Sequence, residues 1–421
     1  MVYVLDYNGK PLMPTKRHGK VRRILRDKKA KVVKRMPFTI KLLYKTTSHT
    51  QDLTLGIDTG SRTIGCAVAN KKGEILYASE VVIRSDIKRK MDRRRVYRRS
   101  RRSRKTRYRK PRFLNRKNSI SKNRFNATMT SKIHRHIAEI ESIKKILPIT
   151  RLVIETGHFD PHLIKNPTLH NQNVAKWGYQ KGLLYGYTNL RHYILFRDHY
   201  TCQCCKSQKG TLEVHHIVPR NNGGGNQPEN LITLCHDCHK AVHNDGLVLK
   251  IKGKGKSQLN HATQMNSIRM QLLKIYPEAI ETFGYVTKAN RQELHLHKEH
   301  YIDACVIASA GHAVDLKNTL VFLKRCVPKG DYQQTKGKRS EKKIPTGKIH
   351  GFRKFDKVSY FGKEYFIKGR RAAGTCILMD INKNTVSFDY LPRGFKTPKL
   401  LNCKRKEART GVLCEAILPS L

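Results

Sequence analysis

The sequence of 421 residues predicts a mixed α/β protein of several small domains. Three observations predict it. Short β-branched and aromatic runs recur in both halves of the chain, with helical periods between them. A long block of arginine and lysine interrupts them near residue 100. A compact cluster of cysteine and histidine follows in mid-chain, between two apolar, helix-like segments.

Composition narrows the class of partner. Apolar and aromatic residues make up 38%, enough for cores divided among small domains. There are 86 Lys and Arg against 31 Asp and Glu, a formal charge of +55. A compact chain with that excess repels itself unless a polyanion covers it, and nucleic acid is the expected polyanion. No run of 18 apolar residues exists, so no transmembrane helix and no membrane partner are expected. The N-terminus, MVYVLDYNGKPLMP, lacks the apolar core of a signal peptide, which predicts a cytoplasmic protein. Eleven cysteines, four of them in two CxxC pairs, favour metal over disulfides in such a compartment.

Taken in order, residues 1–50 read as a small basic unit, with VYVLDY and FTIKLLY as strands around a Lys/Arg-rich stretch. LTLGIDTG, SRTIGCAVAN and EILYASEVVI predict three strands over 53–83, the first ending at Asp58 and Gly60. Residues 88–117 hold 18 Lys or Arg and a single acid, Asp92. Arginine is a good helix former, so an extended helix is expected once that charge is neutralised. Ile133, Ile137, Ile140 and Leu147 mark an amphipathic helix, and ITRLVIET a buried strand carrying Glu155. Residues 161–190 read as irregular and contain the only tryptophan, Trp177. Helical patterns return at 257–276 and 297–310, followed by a polar basic linker. From 352 onward KVSYF, EYFIKG, TCILMDI and TVSFDYL predict short strands of a small β-barrel.

The most specific local signal is the cysteine and histidine cluster. Cys202, Cys205, Cys235 and Cys238 form two CxxC pairs, a spacing that suits a closed tetrahedral site for structural Zn²⁺. Cys204 lies between ligands as a bystander. HHIVP places two adjacent histidines on a strand, and His239 and His243 share one helical face at i, i+4. Together these residues resemble the HNH nuclease motif, a hairpin packed on a helix around one divalent cation. The resemblance makes His216 the general base, His215 and His239 metal ligands, Asn230 a residue that orients the hairpin or the base, and His243 a ligand or its support. A neutral imidazole can accept a proton near pH 7.

Asp58, Glu155 and Asp303 are dispersed, yet each follows or sits in an apolar element. Two-metal phosphodiester hydrolysis needs several carboxylates converging on cations about 4 Å apart. LGIDTGSRTIGCAV, VIETG and HYID resemble the three motifs of the RuvC nucleases, whose fold is RNase H-like. The order Asp58, Glu155, His300, Asp303 matches that family, and the resemblance implies Mg²⁺ (or Mn²⁺) held by those four.

The succession of motifs resembles the IscB family of transposon-encoded, RNA-guided endonucleases, related to the type II CRISPR effector. A PLMP segment (Pro11 to Pro14) comes first, then RuvC motif I, the Arg-rich helix, RuvC motif II, WGYQKGLLYG, the HNH module, RuvC motif III and a small β domain. The fold implied is an α/β multidomain chain. Its RNase H-like (RuvC) core is split by an Arg-rich bridge helix and an inserted ββα-metal HNH domain. The implied domains are 1–50 (PLMP), 51–85 (RuvC I), 86–120 (bridge helix), 121–186 (RuvC II and linker), 187–250 (HNH), 251–328 (RuvC III), 329–351 (linker) and 352–421 (C-terminal, small barrel-like). The resemblance further implies a structured guide RNA along Arg93, Arg94, Arg95, Arg98, Arg99, Arg101, Arg102 and Arg104. It implies double-stranded target DNA, a monomer within a ribonucleoprotein, and a nucleoid-associated prokaryotic setting. The HNH site would cut the guide-paired strand and the RuvC site the displaced strand. The C-terminal domain would read a motif beside the target, with Arg370, Arg371, Arg393 and Lys396 as candidate base contacts. Two rival readings are an RNA-independent homing-type HNH endonuclease and a non-catalytic RNA-binding protein. Two complete nuclease constellations are unexplained by the second, and the RuvC set and cationic helix by the first.

Overall fold

The computed structural model describes residues 1–103, 125–161, 163, 182–222, 224–249, 259–316, 319–328, 348–371 and 373–419. It divides into two compact units, one of Met1–Gly157 with Ser267–Leu421, the other of His158–Asn266. Trp177 and Arg104 lie outside the described residues. No described helix is long and apolar enough to cross a membrane.

The first unit opens with β1 (Tyr3–Leu5), α1 (His18–Arg26), β2 (Ala30–Lys34) and β3 (Thr39–Leu42), whose strands form a sheet in the order β1-β3-β2. Val21, Ile24 and Leu25 recur at i, i+3, i+4 and turn that face of the otherwise basic α1 onto Ile40 and Leu42.

Next come β4 (Leu53–Asp58), β5 (Thr63–Asn70) and β6 (Ile75–Val82), then α2 (Ile87–Ser103), α3 (Ala127–Lys144) and β7 (Arg151–Thr156). The first three strands are an antiparallel meander, and β7 lies parallel to β4 on its other side. β4 and β5 are apolar almost throughout because both faces are covered, as the burial of Leu53, Leu55, Ile57, Ile64 and Val68 shows.

The second unit contributes α4 (Leu190–Arg197), the hairpin β8 (Leu212–His216) and β9 (Leu231–Cys235), and α5 (His236–Asn244). α6 (Leu259–Ile275) follows.

Back in the first unit are β10 (Ile280–Phe283), α7 (Gly284–Glu293), α8 (His300–Ala308) and β11 (Val321–Cys326). A four-stranded sheet of β12 (Lys357–Tyr360), β13 (Lys363–Arg370), β14 (Cys376–Met379) and β15 (Lys404–Glu407) comes next, and β16 (Val412–Ile417) is last. The large sheet runs β10-β7-β4-β5-β6-β11-β16 and the small one β14-β13-β12-β15.

Two expectations for the C-terminal 70 residues are corrected. The small sheet is open rather than barrel-like, and TVSFDYL makes only the isolated bridge from Met379 to Thr385. Phe388 is buried edge-on against Tyr360 and Tyr365, which draws the segment across the sheet face instead of along its edge. The expected 352–421 domain also loses its last strand. β16 pairs antiparallel with β11 and belongs to the large sheet.

Glycines let α8 lie directly on that sheet. A Cβ at Gly56 would strike Ala304 and Ala308, and one at Gly65 would strike the His300 carbonyl. Below, the buried Lys324 of β11 donates to Glu139 Oε2 of α3 and to the Tyr77 hydroxyl of β6, each at 2.7 Å. Removing one partner of such a buried pair costs about 3–5 kcal/mol, so this ion pair fixes α3 against the sheet.

Candidate nuclease sites

In the second unit the turn before β8, the hairpin and α5 bring two donor sets together. Among the described residues, only Cys202, Cys205, Cys235 and Cys238, and His215, His239 and His243, form groups whose ligand atoms all lie within 4.8 Å of one another. Cys205 Sγ and Cys235 Sγ are 3.7 Å apart. Two sulfurs on one tetrahedral Zn²⁺ at ~2.3 Å would be about 3.8 Å apart, so the four thiols fit zinc. Cys204 is exposed and outside the set.

The three imidazoles meet because β8 turns His215 inward while His239 and His243 share a face of α5. Their ring centroids lie 4.8–5.0 Å apart. Burial, then the neighbouring His239 and His243, push His215 down to about 4, so it stays neutral and able to bind a divalent cation. Glu213, two residues before His215 on the same strand, pairs through Oε2 with His239 Nδ1. That contact leaves Nε2 of His239 for a metal, the usual support of a histidine ligand by a carboxylate.

His216 stands apart from the trio. Its Nε2 is 2.9 Å from Asn226 Oδ1, which also accepts from Arg220 Nη2 at 3.0 Å. Asn230 is fully buried and serves the loop. Its Oδ1 accepts from the Val218 N–H at 2.9 Å, and its Nδ2 donates to the carbonyls of Val218 and Gly225. A Cβ at Gly224 would collide with Val218 and Asn230, which accounts for part of the glycine run.

A second cluster lies on the large sheet of the first unit. Asp58 pairs in register with Glu155 on one side and with Gly65 on the other, and Gly65 pairs with Glu80. Paired residues point to one face, so the row presents Glu155, Asp58 and Glu80 together. α8 crosses it with His300 Nδ1 2.6 Å from Asp58 Oδ2. Asp303, one turn on, is 2.8 Å from Arg291 Nε.

The electrostatics suit a cation. Burial, then the Asp58 and Asp303 charges, push Glu155 up to about 7. Burial likewise raises Asp58, offset by His300, and raises Asp303 with help from Asp58. The hydrogen bond to Asp58 raises His300. Among the described residues Glu155 Oε2 is buried without a hydrogen-bond partner. An oxygen left so among like charges fits a metal ligand. Reading the residues alone missed Glu213, Asn226, Arg220, Arg291 and Glu80.

Elsewhere, Arg93, Arg94, Arg95, Arg98 and Arg99 are exposed on α2, and Arg101 and Arg102 continue that helix. A groove of about 610 Å³ beside it is lined by Lys88, Arg89, Arg93, Val96 and Tyr97 among others. Arg371, Arg393 and Lys396 are exposed, whereas Arg370 donates Nη1 to the Phe352 carbonyl.

Comparison with known proteins defines a class for the second unit. Residues 202–245 match the HNH endonuclease family, and residues 2–182 match the RRXRR protein family. A type IV methyl-directed restriction enzyme of Escherichia coli, EcoKMcrA, is 44% identical over 32 residues, 8% of this chain and 12% of that one. Anaredoxin of a Nostoc species is 32% identical over 54 residues, 13% of this chain and 71% of that one. Residues 202–245 thus form an HNH endonuclease domain. Among solved structures, Streptococcus thermophilus Cas9 in complex with the AGAA PAM aligns with a TM-score of 0.34 and 10% identity, over 59% of this chain and 32% of that one. The type II-C Cas9 of Actinomyces naeslundii aligns with a TM-score of 0.22 and 13% identity, over 62% and 60%. Scores this low do not define a shared fold. This chain thus spans only a small part of the E. coli enzyme and about a third of the S. thermophilus chain.

Proposed function

We propose that this chain is an RNA-guided DNA endonuclease of the IscB type with a cutting site in each unit. One observation carries the reading: a strongly basic chain holds both an HNH histidine cluster and a separate cluster of three carboxylates and a histidine. An antiparallel three-strand meander flanked by parallel strands supports an RNase H-like (RuvC) core with Asp58 on its first strand.

At the HNH site, the His216 tautomer that carries its proton on Nε2, toward Asn226 Oδ1, would leave Nδ1 to take the proton of an attacking water. His215, His239 and His243 would hold Mg²⁺, with Glu213 orienting His239. Asp58, Glu155, His300 and Asp303 would hold Mg²⁺ or Mn²⁺ at the other site. A divalent cation there supplies charge neutralisation at the phosphate under attack. Cys202, Cys205, Cys235 and Cys238 would hold Zn²⁺, which would tie the turn before β8 to the hairpin and α5. Guide RNA follows the cationic face of α2, and pairing between guide and DNA supplies the sequence specificity. Arg371, Arg393 and Lys396 reach a flanking DNA motif, while Arg370 braces the loop at Phe352.

The test uses the purified protein with the RNA that accompanies it. His216→Ala leaves a nick in the displaced strand only, with guide-paired cutting down about a thousandfold, and Asp58→Ala leaves a nick in the guide-paired strand only. Double-strand breaks at the wild-type rate in either variant, or cutting that needs no RNA, overturn the reading.

A further inference from the structure

The small C-terminal sheet carries a cationic hollow that neither nuclease cluster uses. At its base Asp356 is fully buried. Its Oδ2 accepts from the Arg353 N–H at 2.8 Å and its Oδ1 from the Arg409 N–H at 2.9 Å. The carboxylate therefore ties two distant backbone segments together. Around it opens a hollow of about 270 Å³ lined by Lys348, Arg353, Arg405 and Arg409, with Asp356 and Ala408. Four cations thus share the space with one acid whose oxygens are already engaged.

Two of the arginines are placed by their surroundings. Arg405 Nη1 donates to the Gly351 carbonyl at 2.8 Å, and its guanidinium lies 5.9 Å from the centre of the Phe352 ring. It comes no closer than 3.8 Å to Asp356. Arg409 Nη1 is buried and, among the described residues, has no hydrogen-bond partner. A buried guanidinium N–H calls for an acceptor, and four gathered cations call for an anion. A tetrahedral oxyanion with two free oxygens answers both, since arginine binds such groups in a forked, charge-assisted geometry. The net charge of +55 says which oxyanion the chain is built to meet, namely the repeating phosphodiester of a polyanion.

We propose that this hollow grips one backbone phosphate of a bound nucleic acid and sets the register of the C-terminal sheet on it. Such a contact positions without reading sequence, which separates it from Arg371, Arg393 and Lys396. The phosphate belongs to DNA or to RNA, and the arms of the experiment tell them apart.

The full-length protein is titrated with a labelled library of randomised DNA duplexes and, separately, with single-stranded RNA, across a salt series. Arg409→Gln lowers affinity about tenfold at physiological salt and makes the log–log salt slope shallower by about one phosphate. The loss is uniform across the library. Loss on DNA alone assigns the phosphate to DNA, loss on RNA alone to RNA, and loss on both shows that the hollow takes the backbone of either polymer. Unchanged affinity and slope on both polymers overturn the proposal, as does a loss confined to particular sequences. Should Arg409→Gln melt early, the exposed Lys348→Gln decides by the same criteria with a smaller change. Binding is the readout, so the proposal stands or falls apart from DNA cutting.

Discussion

The two clusters are built in opposite ways. Every candidate ligand of the HNH segment lies between Cys202 and His243, on the turn before β8, the hairpin and α5. The carboxylate cluster draws Asp58 from β4, Glu155 from β7, and His300 and Asp303 from α8, so it exists only once the large sheet is assembled. The first depends on local chain, the second on tertiary order. They also differ in readiness to take up a cation. His215 is held near 4 and is neutral at pH 7, whereas Glu155 is held near 7 and must still shed a proton.

Removing one thiol is expected to separate them most sharply. Cys235→Ser should abolish zinc binding and unfold the hairpin and α5, because the energy of metal binding is folding energy in so small a module. HNH-dependent nicking drops by about a hundredfold or more, while nicking by the carboxylate site persists. Metal analysis and strand-resolved cleavage check this; zinc content equal to wild type would sink it. A subtler change is Glu213→Gln, which leaves the fold intact but weakens the support of His239. Divalent-metal affinity of the histidine cluster should fall about 10–100-fold, measured by titration of the Asp58→Ala background. An unchanged affinity would show that Glu213 does not orient the ligand. The smallest effect is on pH. Below about 7 Glu155 is protonated in the metal-free protein, and the proton competes with the cation. Cleavage by the carboxylate site at limiting Mg²⁺ should therefore weaken about tenfold per unit as pH falls below 7, and saturating Mg²⁺ should restore it. A profile of that site at limiting Mg²⁺ that stays flat between about pH 5 and 7 would contradict the reading of Glu155.

How much was legible follows from the same contrast. CxxC spacing and the i, i+4 histidines are local patterns, and the hairpin and α5 stand where HHIVP and HDCHKAVH predict them. Glu213 left a usable signal, since it sits at i−2 from His215 and shares its strand face. Asn226 left none, because only the loop fold held by Asn230 brings it to His216. On the large sheet the strands with Asp58 and Glu155 were legible from their apolar runs, but their adjacency was not. Glu80 reads as an ordinary strand acid until register sets it in line with Asp58. β16 was misplaced for a related reason. Pattern reading groups strands that are close in sequence, and nothing in VLCEAI says that its partner is β11.

That pairing has a consequence for synthesis. β11 leaves the ribosome about 85 residues before β16, an interval of roughly 4–17 s at ordinary translation rates. Throughout it one side of β11 presents unpaired N–H and C=O groups, the kind of edge that recruits foreign strands. The intervening small sheet has time to fold on its own core of Val358, Ile367, Leu378 and Leu400. Its completion then delivers β16 to the waiting edge, so the speed with which that insert folds governs how long the nascent chain remains open to aggregation.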